Sequence, residues 1–186
     1  MKAMKIALFV LLLLPVMVGS AYAVDLTQRI SFGYNNQLSF GVVGGGAIMD
    51  TAYMSNQSFS TKWWATKEIG LEGILGFIST EYEDVSGYGA TLGAKFHYNI
   101  ILERQMNVYT GGGLSILPVK TDNGEDEETN TGIQLMGFIG TEFFLQGLPN
   151  LAFDFEIGLQ YLDYDEYSQF GTYGGGFGLM GIRYYF

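Results

Sequence analysis

Apolar and polar residues alternate along the chain after residue 36, in segments of about 10 to 14 residues that end at turn-forming residues. The clearest segment, residues 151–161, divides its side chains into two sets. One set is Leu151, Phe153, Phe155, Ile157, Leu159 and Tyr161, and the other is Ala152, Asp154, Glu156, Gly158 and Gln160. Because the side chains of a β-strand point alternately to opposite faces, this pattern predicts a strand with one apolar and one polar face.

The same pattern predicts eight strands in total. They are residues 38–49, 57–64, 69–79, 88–100, 106–119, 132–145, 150–161 and 172–186. Three glycines at 44–46 interrupt the first strand, so its limits are open. Residues 30–34 could instead form an additional short strand before a turn at Asn35-Asn36.

The predicted connections alternate between short and long. The short ones are residues 65–68, 101–105 and 146–149, and the long ones are residues 50–56, 80–87, 120–131 and 162–171. Strict alternation places all the long loops at one end of the sheet. This asymmetry is typical of outer-membrane barrels, which have short periplasmic turns and longer outside loops. The fold class is therefore predicted to be all-β, an eight-stranded antiparallel up-and-down transmembrane β-barrel.

Alternation alone also fits a soluble lipocalin-like barrel, whose apolar face points inward. Three patterns favour a barrel whose apolar face points outward. Phe186 shares its face with Tyr184, Ile182 and Met180, and pairs of aromatic residues at strand ends are predicted to form girdles at the membrane–water interface. These pairs are Trp63 with Trp64, Phe143 with Phe144, and Tyr161 with Tyr164. The opposite faces carry the charges Lys62, Glu72, Lys95, His97, Glu142, Asp154, Glu156 and Arg183.

The first residues have the pattern of a secretory signal peptide. Lys2 and Lys5 precede the 13-residue apolar run at positions 6–18, and Ala21-Tyr22-Ala23 matches the small-x-small cleavage pattern. We therefore expect residues 1–23 to be removed, residues 24–36 to form a periplasmic N-terminal segment, and residues 37–186 to form the barrel.

Composition narrows the classes of function. The chain has no Cys, which excludes a disulfide scaffold and a thiolate metal site. Without Lys2 and Lys5, seven Lys and Arg residues oppose 19 Asp and Glu residues, a net charge of −12 that argues against nucleic acid as a partner. Most of the acids fall in the predicted long loops, which we interpret as solvated, with weak divalent-cation bridging to lipopolysaccharide left open.

Several stretches of the chain resemble the small outer-membrane β-barrel proteins of the OmpA/OmpX-like superfamily. They are Phe59-Ser60-Thr61-Lys62-Trp63-Trp64, Ile69-Gly70-Leu71-Glu72-Gly73, Met106-Asn107-Val108-Tyr109, Gly147-Leu148-Pro149-Asn150-Leu151-Ala152-Phe153 and Arg183-Tyr184-Tyr185-Phe186. The resemblance covers most of the chain after residue 23. It implies an eight-stranded barrel and no defined activity, so it assigns no functional residue.

The interior of an eight-stranded barrel is just wide enough for side chains to fill it. We therefore expect Lys62, Lys95 and Arg183 to pair with the inward acids, because isolated buried charges are costly. His97 is the one histidine in the sequence, and its place near a short turn favours a structural role over catalysis on outer-leaflet lipid. We predict no catalytic residue, cofactor or metal.

These patterns predict a monomeric protein of the cell outer membrane, with a closed polar interior, acidic extracellular loops and a structural or cell-surface interaction role. Its expected partners are outer-membrane lipid and lipopolysaccharide, together with the barrel assembly machinery, which would bind the C-terminal strand. Two alternatives stay open: a barrel enzyme acting on outer-membrane lipid, of the lipid A deacylase or acyltransferase type, and a small transport channel.

Overall fold

The computed structural model describes residues 24–38, 58–82, 85–122, 127–164, 167–173 and 178–186. They form nine strand segments: β1 (Ile30–Leu38), β2 (Ser58–Trp64), β3 (Ile69–Tyr82), β4 (Val85–Leu102), β5 (Met106–Asp122), β6 (Glu127–Leu145), β7 (Leu148–Tyr164), β8 (Tyr167–Thr172) and β9 (Gly178–Tyr185). Within these ranges no helix is long and apolar enough to cross a membrane.

The segments form one closed antiparallel sheet. Each strand from β1 to β7 pairs with the next, and β9 pairs with both β7 and β1, which closes the ring. Segment β8 pairs with residues 159–164 of β7, and β9 pairs with residues 151–156 of the same strand. Together β8 and β9 make the eighth strand of the barrel. The predicted fold class, an eight-stranded antiparallel β-barrel, is confirmed.

The first strand differs from the prediction. It begins at Ile30, and Asn35 lies inside the ladder, paired with Ser58 of β2 and Gly181 of β9. The alternative of a strand at residues 30–34 is confirmed, as part of β1, but the predicted turn at Asn35-Asn36 is wrong, so residues 30–36 belong to the barrel and not to a segment that precedes it. Pairing on both edges of the strand overrides the local turn preference of asparagine. The remaining residues of the predicted first strand, 39–49, and the predicted signal peptide lie outside the described residues.

Strand pairing also continues into three of the predicted long loops. Tyr82 pairs with Val85, Asp122 with Glu127, and Tyr164 with Tyr167. These three pairs define the upper end of the barrel. The turns at 65–68, 103–105 and 146–147 define the lower end. Threonine and tyrosine recur in the predicted loop segments, and their β-propensity supports continued pairing.

Burial is inverted relative to a soluble protein. Large apolar side chains such as Phe77, Leu92 and Leu159 are more than half exposed on the outer surface. Charged side chains such as Glu156 and Lys62 have no exposed surface at all. The face assignment from sequence is therefore confirmed for the described strands, and it holds through β9, where Met180, Ile182, Tyr184 and Phe186 all face outward.

Candidate functional site in the barrel interior

All eight charged or titratable residues predicted to face inward lie inside the lower half of the barrel. Each of them is at most 2% exposed. They are Lys62 on β2, Glu72 on β3, Lys95 and His97 on β4, Glu142 on β6, Asp154 and Glu156 on β7, and Arg183 on β9. The strands thus bring together, across the lumen, residues that are up to 121 positions apart in the sequence.

Arg183 is the centre of this ionic network. Its Nε and Nη2 atoms donate to the two carboxylate oxygens of Asp154 at 3.0 and 3.2 Å. Nη2 also lies 3.0 Å from Glu72 Oε1, Nε lies 3.3 Å from Glu142 Oε1, and Nη1 donates to Ser31 Oγ at 3.3 Å. The planar guanidinium therefore connects three carboxylates from three strands, a task for which its several fixed donors suit it.

The two lysines of the network make different contacts. The Lys95 ammonium lies 2.8 Å from Glu156 Oε2 and 3.8 Å from Glu72 Oε2. Lys62 Nζ lies 3.6 Å from Glu142 Oε1 and sits 4.7 Å from the centroid of the Tyr109 ring. The pairing of inward cations with inward acids, predicted from sequence, is confirmed by these distances. Four carboxylates thus face two lysines and one arginine.

His97 completes the contacts of Glu72. Its Nε2 atom lies 2.9 Å from Glu72 Oε2, and its ring contacts the rings of Tyr109 and Phe138 at centroid distances of 5.0 and 5.3 Å. The histidine is fully buried and belongs to the network, as its inward position on β4 indicated.

One group of residues within the described chain has the composition of a metal site. Glu72, His97 and Glu156 each place one ligand-type atom within 4.8 Å of the others. However, the Lys95 ammonium contacts both carboxylates of this group, so a lysine already supplies the positive charge between them. The prediction that the protein has no metal site stays a prediction.

Two apolar layers enclose the network. The lower layer consists of Leu26, Trp64, Phe144, Ala152 and Tyr185, and the upper layer consists of Tyr109, Met136, Phe138, Tyr173 and Leu179. Such layers keep water away from the charges and strengthen their mutual attraction.

Phenol and indole groups of the two layers join the network directly. Tyr109 Oη donates to Glu156 Oε1 at 3.0 Å. Tyr185 Oη donates to Glu142 Oε1 at 2.8 Å and accepts a hydrogen bond from Trp64 Nε1 at 2.9 Å. The aromatic layers and the ionic network are therefore one hydrogen-bonded unit.

The predicted aromatic girdles need correction. Trp64 and Phe144 are buried inside the barrel, while their neighbour Trp63 is 41% exposed on the outer surface. Consecutive residues of a strand point to opposite faces, so only one aromatic of each adjacent pair can face outward. Tyr161 does face outward, and the side chain of Tyr164 lies outside the described residues.

The aromatic members of the site were not predicted, although the sequence contains the signal for them. Trp64 lies two positions from Lys62, and Tyr185 lies two positions from Arg183. Because residues two apart in a strand share a face, counting from each inward charge would have placed these rings in the lumen.

Glycines on the inner face make room for these rings. A Cβ at Gly70 would lie 2.8 Å from the Trp64 ring, and a Cβ at Gly140 would lie 2.7 Å from the Tyr109 ring. A Cβ at Gly111 would lie 2.7 Å from the Phe138 ring. An eight-stranded barrel can therefore hold a large interior side chain where the paired residue on the adjacent strand is a glycine.

Above the network, the lumen contains a cavity with a mixed lining. Its walls are Ser58, Ile74, Thr91, Lys95, Ser115, Gln134, Met136, Tyr173 and Leu179. The Ser115 hydroxyl is fully buried and has no hydrogen-bond partner among the described residues. Charge is thus concentrated in the lower half of the lumen, while small polar and apolar side chains line the part above it.

The chain was compared with family models, curated proteins and solved structures. No family model and no curated protein matches the chain. Among solved structures, the N-terminal β-barrel domain of Pseudomonas aeruginosa OprF is similar, with a TM-score of 0.54 and 12% identity over 86% of this chain and 98% of that one.

Two further structures are similar at lower scores. Neisserial surface protein A (NspA) has a TM-score of 0.49 and 16% identity, over 85% of this chain and 95% of that one. Ail, the attachment invasion locus protein of Yersinia pestis, has a TM-score of 0.48 and 15% identity over the same shares. The closed barrel and its likeness to the OprF domain together show the fold of this chain, an eight-stranded antiparallel β-barrel similar to that domain.

Proposed function

We propose that this protein is an integral outer-membrane β-barrel with a structural or cell-surface interaction role and an interior closed to ions. The observation that carries the proposal is the inverted burial, with charges inside and apolar side chains outside. An exposed apolar surface that surrounds the whole barrel is far larger than the patches that soluble monomers expose. Hydrocarbon is the environment that stabilises such a surface, so outer-membrane lipid is the proposed partner.

The contacts of the ionic network support the proposal of a closed interior. The side chains of Lys62, Lys95 and Arg183 reach carboxylates on other strands, so the ion pairs extend across the lumen. Apolar layers lie below and above them. An ion crossing the barrel would have to separate buried opposite charges, whose attraction is strong in such surroundings.

The position of His97 favours this role over the alternative of an enzyme acting on lipid. A catalytic histidine must reach its substrate, yet His97 is enclosed by Glu72, Tyr109 and Phe138 inside the lumen. The acyl chains of membrane lipid lie on the other side of the barrel wall. We therefore propose that the histidine is structural.

Membrane insertion and orientation are tested together with epitope tags. A tag between Gly124 and Glu125, in the polar part of the chain that connects β5 to β6, should bind antibody on intact cells, because an exposed polar connection tolerates insertion. A tag at Gly147, in the turn between β6 and β7, should bind only after the outer membrane is permeabilised. The reverse pattern would invert the orientation, and recovery of both tagged proteins in the soluble fraction would refute the membrane proposal.

Closure is tested in planar bilayers with refolded protein. We expect no stable single-channel steps from the wild type, since side chains nearly fill an eight-stranded barrel. A mock preparation carried through the same purification is the control for contaminating porins. Reproducible steps that are present only with the protein would refute the closed interior and favour the transport alternative.

A further inference from the structure

The segment that precedes the first strand folds into the lower mouth of the barrel. Residues 24–29 are not part of the sheet, yet Leu26 is only 4% exposed and belongs to the lower apolar layer with Trp64, Phe144, Ala152 and Tyr185. Val24 packs against the same layer. The segment therefore buries apolar side chains inside a lumen whose wall is already complete without it.

Main-chain hydrogen bonds fix the direction of this segment. Gln28 N donates to Trp64 O at 2.7 Å, and Trp64 N donates to Arg29 O at 3.2 Å. Arg29 N donates to Leu26 O at 2.9 Å, and Gln28 has a φ of 62°, in the left-handed region. A non-glycine residue in that region is uncommon and requires support from its surroundings. The turn points Leu26 back into the lumen.

Arg29 connects the segment to the ends of the next two strands around the mouth, β9 and β7. Its Nη2 atom donates to Asn150 Oδ1 at 2.7 Å and to the Tyr185 carbonyl at 3.2 Å. Its Nε atom donates to the Phe186 carbonyl at 3.4 Å, and the guanidinium lies 5.5 Å from the centroid of the Tyr185 ring. The arginine thus extends from the start of β1 across the end of β9 to the start of β7.

We propose that residues 24–29 are a stopper that seals the lower mouth of the barrel, separately from the ionic network. Without Leu26, water would reach Trp64 and Tyr185, and through Tyr185 it would reach Glu142. Since water weakens buried electrostatic attraction, the stopper also protects the network. The inference rests on the proposed function in one respect: the seal matters only if the barrel spans a membrane.

A single cysteine can report on the seal, because the chain has no native cysteine. Asn107 is suited to this purpose: it is 1% exposed, it lies next to the lower end of β5, and it pairs with Glu142. Neither of its amide atoms has a hydrogen-bond partner among the described residues, so Asn107→Cys removes no described contact. Refolded Asn107→Cys barrels in liposomes are treated with a charged, membrane-impermeant thiosulfonate reagent.

We expect Cys at position 107 to react slowly in the otherwise wild-type barrel and at least about tenfold faster when Leu26→Asp is added, since reactivity of a buried group follows local opening. Gln28→Asp is the matched control, because it adds the same charge to an exposed position of the same segment. Arg29→Ala is a second variant that loosens the stopper without placing a charge in the apolar layer. Only the folded band, separated by its heat-modifiable gel mobility, is scored.

Equal labelling with Leu26→Asp and Gln28→Asp, or fast labelling with the stopper intact, would overturn the proposal. Failure of the proposed function has a different signature: the wild-type protein would not float with liposomes in a density gradient. In bilayers, the Leu26→Asp barrel should remain non-conducting, because the ionic network above the stopper is intact. Channel steps from this variant alone would show that the network does not seal the lumen and would assign closure to the stopper.

Discussion

The two faces of β7 differ in what their side chains require from their surroundings. Phe155 and Ile157 on the outer face need no specific partner, since their side chains require only apolar surroundings. Asp154 and Glu156 on the inner face each require a partner at hydrogen-bond distance, Arg183 for the first and Lys95 for the second. The outer face therefore tolerates many apolar residues, while the inner face depends on particular pairs contributed by other strands.

The largest effect is expected where one inner residue serves several partners. Arg183→Ala should lower the free energy of unfolding by about 3–5 kcal/mol, because it leaves Asp154, Glu72 and Glu142 without their shared cation. Urea titration in lipid, followed by the loss of heat-modifiable mobility, measures the change. Arg104→Ala, in the exposed turn between β4 and β5, should stay within about 0.5 kcal/mol of the wild type. Equal losses for the two variants would contradict the central role of Arg183.

A charge on the outer face should have the next largest effect. Phe155→Arg places a guanidinium on the outer surface at the level of the ionic network and should cost about 2–4 kcal/mol if that level is near the bilayer midplane. Leu148→Arg, at the lower end of the same strand, should cost about 0–1 kcal/mol. The same urea titration compares them, and equal costs would show that the apolar band is placed wrongly relative to the bilayer.

Two adjacent tyrosines give a sharper test of the two faces. Tyr185→Phe removes the hydroxyl that bonds Glu142 and Trp64, and should cost about 1–3 kcal/mol because both partners remain buried. Tyr184→Phe makes the same chemical change on the outer face, where the hydroxyl accepts only an exposed hydrogen bond from Asn150. It should change stability by less than about 0.5 kcal/mol. A larger loss from Tyr184→Phe would reverse the register of β9.

The smallest effect is expected at an inner position that has no partner. Ser115→Ala removes a fully buried hydroxyl that makes no hydrogen bond among the described residues. Its loss should leave the free energy of unfolding unchanged or raise it by up to about 1 kcal/mol, because folding no longer removes a hydroxyl from water without replacing its hydrogen bonds. Ser31→Ala is the contrasting variant, since the Ser31 hydroxyl accepts from Arg183, and it should be destabilising. Destabilisation by Ser115→Ala would indicate a bonded water in the cavity.

The positions that were predicted well share one property: a periodic pattern within a single strand is sufficient to place them. The inward charges and the outward face of the last strand are of this kind, because the alternation of a strand needs no knowledge of its neighbours. The prediction of where β1 starts was wrong for the opposite reason. Asn35 has turn preference by itself, and only its pairing with β2 and β9 makes it part of a strand.

The prediction of where the upper hairpins end was wrong for a related reason. Residues such as Thr80 and Thr121 are polar and lie next to acidic segments, so they were predicted to be loop. Their pairing with Gly87 and Glu128 continues the ladders. Once two strands are in register, each further residue adds backbone hydrogen bonds, and polarity alone does not end a strand whose side chains can reach water.

The sequence by itself determined which residues share a face, which face is charged, and how many strands the barrel has. It did so because strand periodicity and turn chemistry are local. Tertiary structure alone decided which acid each cation meets, that Trp64 and Tyr185 connect to Glu142, and that residues 24–29 enter the lower mouth. Those outcomes depend on the register between strands and on the closure of the ring, which place side chains from distant parts of the chain within a few ångströms of one another.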